Sequence, residues 1–405
     1  MDEPRGCKSN PIAESGVGMK LWTHGIPVDL NERSLGRVVF RPVSASERKD
    51  CIRVVPTEVS VNEDFRGYVA VLFGGKVDGL PRIGSPFLHS LGQLDFLAEN
   101  HVILLSPENG FVRVLYRPES HSNAIFVTER CNSDCLMCSQ PPKAINDEGL
   151  IEEHIRLIDL IQSAPEMLGI TGGEPTLLKD RLIRLLQHIR EKFPDTFIRM
   201  LSNGRMFAYE DMVQELAAIE HLNLITAIPL YSDNAPEHDY IVQAKGAFDQ
   251  TLQGLYNMAK YGLGVEIRIV LHRLTLPRLI HLAEFIYRNL PFVRHVALMG
   301  LENMGYVKKN WELLWIDPID YRRELENVIR FFHYRCLNVS IYNLPLCVLP
   351  ENLWSFARQS ISDFKNIYLD ECQACRVRSH CTGLFQSSET RHSRGIHALQ
   401  SVTNK

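Results

Sequence analysis

Strand-like and helix-like patterns alternate through the middle of this chain, and this alternation restricts the fold more than any other feature. Short apolar runs that predict strands recur at the spacing of βα units: 124–127, 167–171, 197–201, 222–228, 265–271 and 293–298. Six such units predict an α/β fold in which a parallel sheet curves into a partial (β/α)6 TIM-like barrel. A doubly wound open sheet has the same periodicity. In both folds, active residues lie at the carboxyl ends of the strands.

Three cysteines directly follow the first of these strands. Cys131, Cys135 and Cys138 have the spacing C-x3-C-x2-C. Three thiolates this close together can ligate three irons of a [4Fe-4S] cluster and leave the fourth iron without a protein ligand. An open coordination position is typical of a catalytic metal centre. The alternative is a zinc site, but the loop has no histidine that could supply a fourth ligand.

The turn after the second strand is suited to ligand binding. It contains two glycines followed by a carboxylate and a proline: Gly172, Gly173, Glu174 and Pro175. Glycine permits positive φ and lets a ligand approach the backbone, while the glutamate offers an acceptor to a cationic group. By itself this sequence is also compatible with an ordinary turn.

Polar residues follow or interrupt the next three strands. Ser202 and Asn203 follow the third strand, where Asn203 and Gly204 also fit a common Asn-Gly turn. Ser232 follows the fourth strand. Arg268 lies inside the apolar fifth strand, where it either binds an anionic group or forms a structural ion pair.

Composition narrows the partners and the compartment. The chain has 44 basic and 48 acidic residues and a net charge of −4, which gives no basic footprint for nucleic acid. No apolar run reaches the roughly 18 residues of a membrane span, and the start lacks the layout of a signal peptide. We therefore expect a cytoplasmic protein that binds neither nucleic acid nor membrane. In a reducing compartment, cysteines are metal ligands or free thiols more often than disulfides.

A second cysteine set follows the barrel. It consists of a single residue and a compact triplet: Cys347, then Cys372, Cys375 and Cys381. Four thiolates fit either a structural zinc site or a fully ligated [4Fe-4S] cluster. Cys7 and Cys51 have no close cysteine or histidine partner. The predicted organisation is a β-rich N-terminal domain of unknown role (1–120), the barrel (121–300), a cysteine-rich region (301–386) and a polar tail (387–405).

The cysteine loop and the G-G-E-P turn one βα unit later resemble the radical S-adenosylmethionine (SAM) superfamily, over about residues 123–385. The resemblance implies that the open iron chelates SAM and that an electron from the cluster cleaves it. The 5′-deoxyadenosyl radical then abstracts a substrate hydrogen. It also implies a set of SAM contacts: Met137 against the adenine, 172–175 at the amino group, Ser202 and Asn203 in the third turn, Ser232 or Tyr231 in place of the usual ribose contact, and Arg268 at the carboxylate.

Longer phrases are similar to the C-type maturases of the His-Xaa-Ser peptide-modification system. They read T-E-R-C-N-S-D-C-L-M-C-S-Q-P-P, I-P-L-Y-S-D, V-A-L-M-G-L-E-N, Y-N-L-P-L-C-V-L-P and S-I-S-D-F-K-N. This similarity implies a precursor peptide with His-Xaa-Ser repeats as substrate, a companion radical SAM maturase and an electron donor. It favours iron–sulfur over zinc at the C-terminal cysteines, in a SPASM or twitch-like extension. The alternatives are a small-molecule or nucleotide substrate, or a metal-stabilised peptide-binding scaffold without catalysis.

Overall fold

The computed structural model of the protein describes residues 21–56, 63–75 and 83–400. Cys7 lies outside these ranges. Within them the chain forms two eight-stranded sheets and a short two-stranded sheet. No helix in the described ranges is both long enough and apolar enough to cross a lipid bilayer.

The first sheet confirms the β-rich N-terminal region. Its strands are β1 (Trp22–His24), β2 (Ile26–Val28), β3 (Ser34–Val39), β4 (Cys51–Val55), β5 (Ala70–Gly74), β6 (Phe87–Leu91), β7 (Val102–Ser106) and β8 (Phe111–Tyr116). Their order in the sheet is β1-β8-β7-β3-β4-β5-β6-β2. Only Gly25 separates β1 from β2 in the chain. One segment therefore pairs with both outer strands, β8 and β6, and closes the sheet on itself.

The second sheet is parallel throughout and curls into a half-barrel. Its strands are β9 (Ala124–Phe126), β10 (Met167–Thr171), β11 (Phe197–Leu201), β12 (Leu224–Pro229), β13 (Gly264–Leu271), β14 (His295–Gly300), β15 (Val339–Tyr342) and β16 (Ala357–Arg358). Neighbours in the sheet are neighbours in the chain. This order excludes the doubly wound alternative, because that fold requires the strand order to reverse at a switch point.

The longer helices cover the outer face of the half-barrel, while α4 (Ala235–Val242) and α7 (Trp311–Leu314) pack beside the cysteine loop. In the described ranges the helices are α1 (Leu150–Leu160), α2 (Asp180–Lys192), α3 (Glu210–Ala218), α4 (Ala235–Val242), α5 (Ala247–Lys260), α6 (Leu279–Asn289), α7 (Trp311–Leu314) and α8 (Arg322–His333). The long helices bury one apolar stripe each. In α2 the buried residues include those that the helical spacing predicts: Leu182, Leu185, Leu186 and Ile189.

The parallel sheet has two strands more than the six that the sequence predicted. β15 follows α8 and adds another βα unit, and the two-residue β16 pairs with the end of β15. Part of the chain after residue 300 therefore belongs to the barrel wall. Strand β16 is too short to give any periodic signal in the sequence.

The C-terminal segment packs against the rest of the chain. A two-stranded sheet joins β17 (Asn366–Ile367) to β18 (Leu384–Phe385). Within the stretch predicted as a polar tail, the side chains of Ile396 and Leu399 contact the main core. The hydroxyl of Ser393 donates to the carboxylate of Asp317 over 2.5 Å. Residues 387–400 are thus integrated into the fold.

Three buried histidines make the stability of this fold depend on pH. Burial lowers the pKa of His154 to about 4, of His238 to about 4 and of His272 to about 3. The unfolded chain binds protons at these sites from about pH 6.5 downward, while the folded chain does not. The free energy of unfolding should therefore fall on acidification below pH 6.5, by up to about 1.4 kcal/mol per pH unit for each histidine.

Urea unfolding at pH 7 and pH 5 measures this loss of stability. In the variant His272→Asn, the loss between the two pH values should be smaller than in the wild type. Replacing His121, whose side chain is 76% exposed, by asparagine is the matched control and should leave the loss unchanged. An equal loss in the wild type and His272→Asn would show that His272 does not contribute.

Candidate metal and cofactor site

The first cysteine motif lies in the loop that follows β9, at the carboxyl edge of the parallel sheet. Two backbone hydrogen bonds hold this loop against the turn that follows β10. The amide nitrogen of Gly173 donates to the carbonyl oxygen of Thr128, and that of Glu174 donates to the carbonyl oxygen of Arg130, each over 2.7 Å. The cysteine loop and the glycine–glutamate turn are therefore one structural unit.

The two glycines of the turn allow the chain to approach itself this closely. A Cβ atom at Gly172 would lie 2.6 Å from the carbonyl oxygen of Thr128, and one at Gly173 would lie 2.1 Å from that of Arg130. Neither glycine is among the residues with positive φ. What requires glycine here is thus the neighbouring backbone, and not a left-handed conformation.

The carboxylate of Glu174 is buried beneath the turn. Its Oε1 accepts from the hydroxyl of Ser202 over 2.8 Å and from the hydroxyl of Thr176 over 2.5 Å. Its Oε2 accepts from the backbone amide of Asn203 over 2.6 Å. Burial raises the pKa of Glu174, although these hydrogen bonds act in the opposite direction. The carboxylate links the turns after β10 and β11. The hydroxyl of Ser202 donates its proton to this carboxylate, so that proton is not available to a ligand.

The turn after β11 also contacts the cysteine loop. The side-chain amide of Asn203 donates to Oδ1 of Asn132 over 2.6 Å, and it lies 3.9 Å from Sγ of Cys131. Arg205 donates to the carbonyl oxygen of Asn132 and to Oγ of Ser133. The sequence analysis missed Arg205, because nothing around it in the sequence distinguishes it from a surface arginine.

Asp147 is a second residue that the sequence analysis missed. Its buried carboxylate accepts from the hydroxyl of Thr128 over 2.6 Å, from the amide of Glu129 over 2.7 Å and from Nε of Arg130 over 3.0 Å. These bonds fix the backbone at the point where the cysteine loop begins. The residue stands in a polar stretch and belongs to none of the motifs.

All three thiols of the loop are affected by burial. Burial raises the pKa of Cys131 to about 11, and it raises the pKa of Cys135 and Cys138 as well. Metal ligation stabilises thiolates in such surroundings. Within the described ranges, no three His, Cys, Asp or Glu side chains converge as a ready metal site, so the sulfur atoms would have to turn toward one point. As a donor set, three soft thiolates fit iron–sulfur ligation.

The remaining residues predicted to contact a ligand are placed differently. Met137 is buried in an apolar cluster with Tyr231 and Trp311. The hydroxyl of Ser232 donates to Oε2 of Glu237 over 2.8 Å, within a local network at the start of α4. The assignment of Ser232 to a ligand therefore has no support from its surroundings. Tyr231 belongs to the same apolar cluster as Met137, and Cys135 packs against that cluster.

Arg268 forms the structural ion pair that the sequence analysis offered as one of its two roles. Its Nε donates to Oε1 of Glu266 over 2.8 Å. This bond uses one of the five donors of the guanidinium group. The other donors of Arg268 can therefore still bind an anion after the ion pair has formed.

The four C-terminal cysteines line a single pocket: Cys347, Cys372, Cys375 and Cys381. Burial raises the pKa of Cys347 to about 11. Backbone amides point at two of the sulfurs, because the amide of Leu346 donates to Cys381 and that of Leu399 donates to Cys375, each over 3.4 Å. Four thiolates with amide donors fit a fully ligated cluster, and they also fit zinc.

Most of the half-barrel matches the sequence model of a known protein superfamily. Residues 125–286 match the sequence model of the Radical SAM superfamily. This segment is similar to the radical SAM domain. The match begins in β9 and ends in α6, so it contains the cysteine loop and the two turns that contact it.

Individual relatives cover parts of the chain. Fe-coproporphyrin III synthase of Methanosarcina barkeri is 33% identical over 152 residues, which are 36% of this chain and 36% of that protein. GTP 3′,8-cyclase of Petrotoga mobilis is 27% identical over 154 residues, 36% of this chain and 45% of that protein. The chain thus spans less than half the length of both relatives. Among solved structures, Streptococcus suis SuiB bound to precursor peptide SuiA has a TM-score of 0.43 at 18% identity, covering 54% of this chain and 48% of SuiB.

Proposed function

We propose that this protein is a radical SAM enzyme that modifies a ribosomally made peptide. The observation that carries the enzyme assignment is the contact of three turns at the carboxyl edge of the sheet. The cysteine loop, the turn at 172–175 and the turn at Asn203 are joined by direct hydrogen bonds. The radical SAM domain match over 125–286 supports the same assignment.

In this proposal Cys131, Cys135 and Cys138 hold a [4Fe-4S] cluster. When bound, the cluster supplies the electron for reductive cleavage of SAM and hence the 5′-deoxyadenosyl radical. The residues around it position SAM and exclude water. Because the carboxylate of Glu174 is occupied by Ser202 and Asn203, the acceptors for the amino group of SAM are backbone carbonyls of the turn. Glu174 is therefore a positioning residue.

The second cysteine set would hold an auxiliary cluster in this enzyme. Cys347, Cys372, Cys375 and Cys381 share one pocket, which is lined also by Tyr368. Four protein thiolates leave no open iron for SAM. A centre of this kind orients the substrate or serves electron transfer, while the first cluster carries the SAM chemistry.

The peptide substrate rests on the similarity of whole sequence phrases to the His-Xaa-Ser maturases. That similarity supplies the expected partners: a precursor with His-Xaa-Ser repeats, a companion maturase and an electron donor. A small-molecule substrate is the second candidate. It is favoured by the relatives matched in sequence, whose names refer to a coproporphyrin and to GTP. The two candidates share the SAM chemistry. They differ only in the molecule from which the 5′-deoxyadenosyl radical abstracts a hydrogen.

Anaerobic reconstitution tests the enzyme assignment. The protein should take up roughly eight irons and eight sulfides per chain, as two [4Fe-4S] clusters require. With a reductant it should then convert SAM to 5′-deoxyadenosine, and mass spectrometry should show a changed mass for a co-expressed His-Xaa-Ser precursor. Zinc instead of iron and no 5′-deoxyadenosine would contradict the assignment and support the scaffold. Cleavage of SAM with an unmodified precursor would favour the small-molecule candidate.

A further inference from the structure

The concave side of the half-barrel contains an unusual concentration of charge. Along β10 and β11, fully buried residues alternate with partly exposed ones. The fully buried ones, such as Ile198 and Met200, belong to the main apolar core with the helices. The alternate residues, including Arg199, therefore face the concave side. A charged side chain is seldom placed in such a position without a partner or a function.

Charged and polar side chains from four strands meet there. Glu266 on β13 accepts from Nε of Arg268 over 2.8 Å, and its other oxygen lies 3.0 Å from Nδ1 of His295 on β14. The second ring nitrogen of His295 lies 3.0 Å from the hydroxyl of Ser340 on β15. Nε of Arg199 on β11 lies 3.9 Å from Glu266. One carboxylate is thus shared by two guanidinium groups and an imidazole.

This cluster has more donors than acceptors. The distance of 3.9 Å from Arg199 to Glu266 is too long for a hydrogen bond, and Nε of Arg199 is a buried atom without a hydrogen-bond partner. Within the described residues, Arg268 makes its one hydrogen bond through Nε. The terminal nitrogens of both arginines are therefore available, and the side chains are 27% and 20% exposed.

The cluster carries a net positive charge. Two guanidinium groups face one carboxylate, which leaves one excess positive charge when the imidazole is neutral. Burial alone would raise the pKa of Glu266, but the hydrogen bond to His295 and the charges of Arg268 and Arg199 lower it to about 2. Glu266 therefore stays ionised and holds Arg268 in place. The ring of Tyr342 packs edge-on against that of His295, with the ring centroids 6.1 Å apart, so Tyr342 lies beside the cluster.

The strand register separates this cluster from the cysteine loop. Arg199 is paired with Ile225, and Ile225 is paired with Gly264. Arg199 is thus level with a residue four positions before Arg268, toward the amino edge of the sheet. The cysteine loop lies at the opposite, carboxyl edge. An anion bound by Arg199 would therefore lie deeper in the barrel than a ligand at the three turns.

We propose that Arg199 and Arg268, with Tyr342, bind a carboxylate group of the substrate inside the half-barrel. This inference rests on the proposed function and specifies the chemistry of its substrate. A carboxylate is a monoanion, which matches the single excess positive charge, and paired guanidinium donors suit its two oxygens. The carboxylate belongs either to a peptide, as an Asp or Glu side chain, or to a small organic acid.

Saturation-transfer NMR with small probes tests this site on the full chain. N-acetylglycine supplies a carboxylate, and its amide, N-acetylglycinamide, has nearly the same size without the charge. The wild type should bind the acid and not the amide. Arg199→Gln should weaken binding of the acid by at least about tenfold, and Arg199→Lys by less, because lysine keeps the charge without the planar fork. Arg113→Gln, an exposed arginine on β8, is the matched control and should bind like the wild type.

Three results with the small probes would overturn the proposal. They are equal binding of acid and amide, unchanged binding by a folded Arg199→Gln variant, and tighter binding of inorganic phosphate than of N-acetylglycine. A parallel loss of SAM binding in Arg199→Gln would also overturn it, because the bound carboxylate would then be that of SAM. The peptide acetyl-Ala-Ala-Glu-Ala-Ala-amide separates the two sources: tighter binding than N-acetylglycine indicates a peptide carboxylate, and weaker binding indicates a small acid.

The test distinguishes this inference from the proposed function. Formation of 5′-deoxyadenosine without added substrate is measured in the wild type and in the control Arg113→Gln, and it should be the same in both. If the wild type binds N-acetylglycine but never cleaves SAM, the proposed function fails while the carboxylate site stands. If SAM is cleaved but the acid does not bind, the site fails alone.

Discussion

Replacing Cys135 with alanine is expected to abolish SAM cleavage and to lower the iron content by about four atoms per chain. Cys135 is the central cysteine of the loop, and burial raises the pKa of its thiol. Without this thiolate the first cluster retains two protein ligands. The second cysteine set is separate from the loop, so its irons should remain.

Iron analysis and the yield of 5′-deoxyadenosine measure the two effects after anaerobic reconstitution. Cys336→Ala is the matched control, because Cys336 is exposed and belongs to neither cysteine set. It should match the wild type in both quantities. An unimpaired rate of 5′-deoxyadenosine formation by Cys135→Ala would refute the assignment of the first cluster.

Replacing Gly173 with alanine should separate the cysteine loop from the turn after β10. The new Cβ atom would lie 2.1 Å from the carbonyl oxygen of Arg130. A contact this short cannot be relieved by a side-chain rotation, since both atoms are held by backbone. Overpacking of this kind costs about 1–3 kcal/mol. We expect lower stability and at least a tenfold loss of SAM cleavage, because the hydrogen bonds from Gly173 and Glu174 would break.

Gly149→Ala is the control for this variant. A Cβ atom at Gly149 meets nothing within 4 Å, and its φ is −70°. Alanine there should leave stability unchanged or raise it by up to about 1 kcal/mol. Urea unfolding, iron content and 5′-deoxyadenosine yield are compared for both variants. Wild-type iron content and SAM cleavage in Gly173→Ala would show that the close approach of the two segments is not needed.

The sequence predicted the barrel well, because its strands and helices have strong local patterns. All six predicted strands are present, two with the predicted bounds and four with ends shifted by one or two residues, as at Leu224–Pro229. The N-terminal sheet was predicted less completely, since β1 and β2 have three residues each. The pairing of these strands with β8 and β6 depends on contacts distant in the chain, which no local pattern encodes.

At the site, the motifs were found but the directions of their side chains were not. The spacing of the cysteines and the position of the G-G-E-P turn placed both segments at the same edge of the sheet. That Glu174 accepts a hydrogen bond from Ser202 follows from packing between two turns, which no local pattern in the sequence encodes. The charged cluster around Glu266 also escaped notice, because its members are spread over strands β11 to β15.

The closure of the N-terminal sheet has a consequence for synthesis of the chain. Residues 22–28 have no hydrogen-bonded neighbour in the sheet until β6 has been synthesised. Their second neighbour, β8, is synthesised later still. Until then the nascent chain exposes unsatisfied strand edges, which favour intermolecular association. Slow translation or a chaperone acting before Tyr116 emerges should therefore improve the yield of folded protein more than the same help given later.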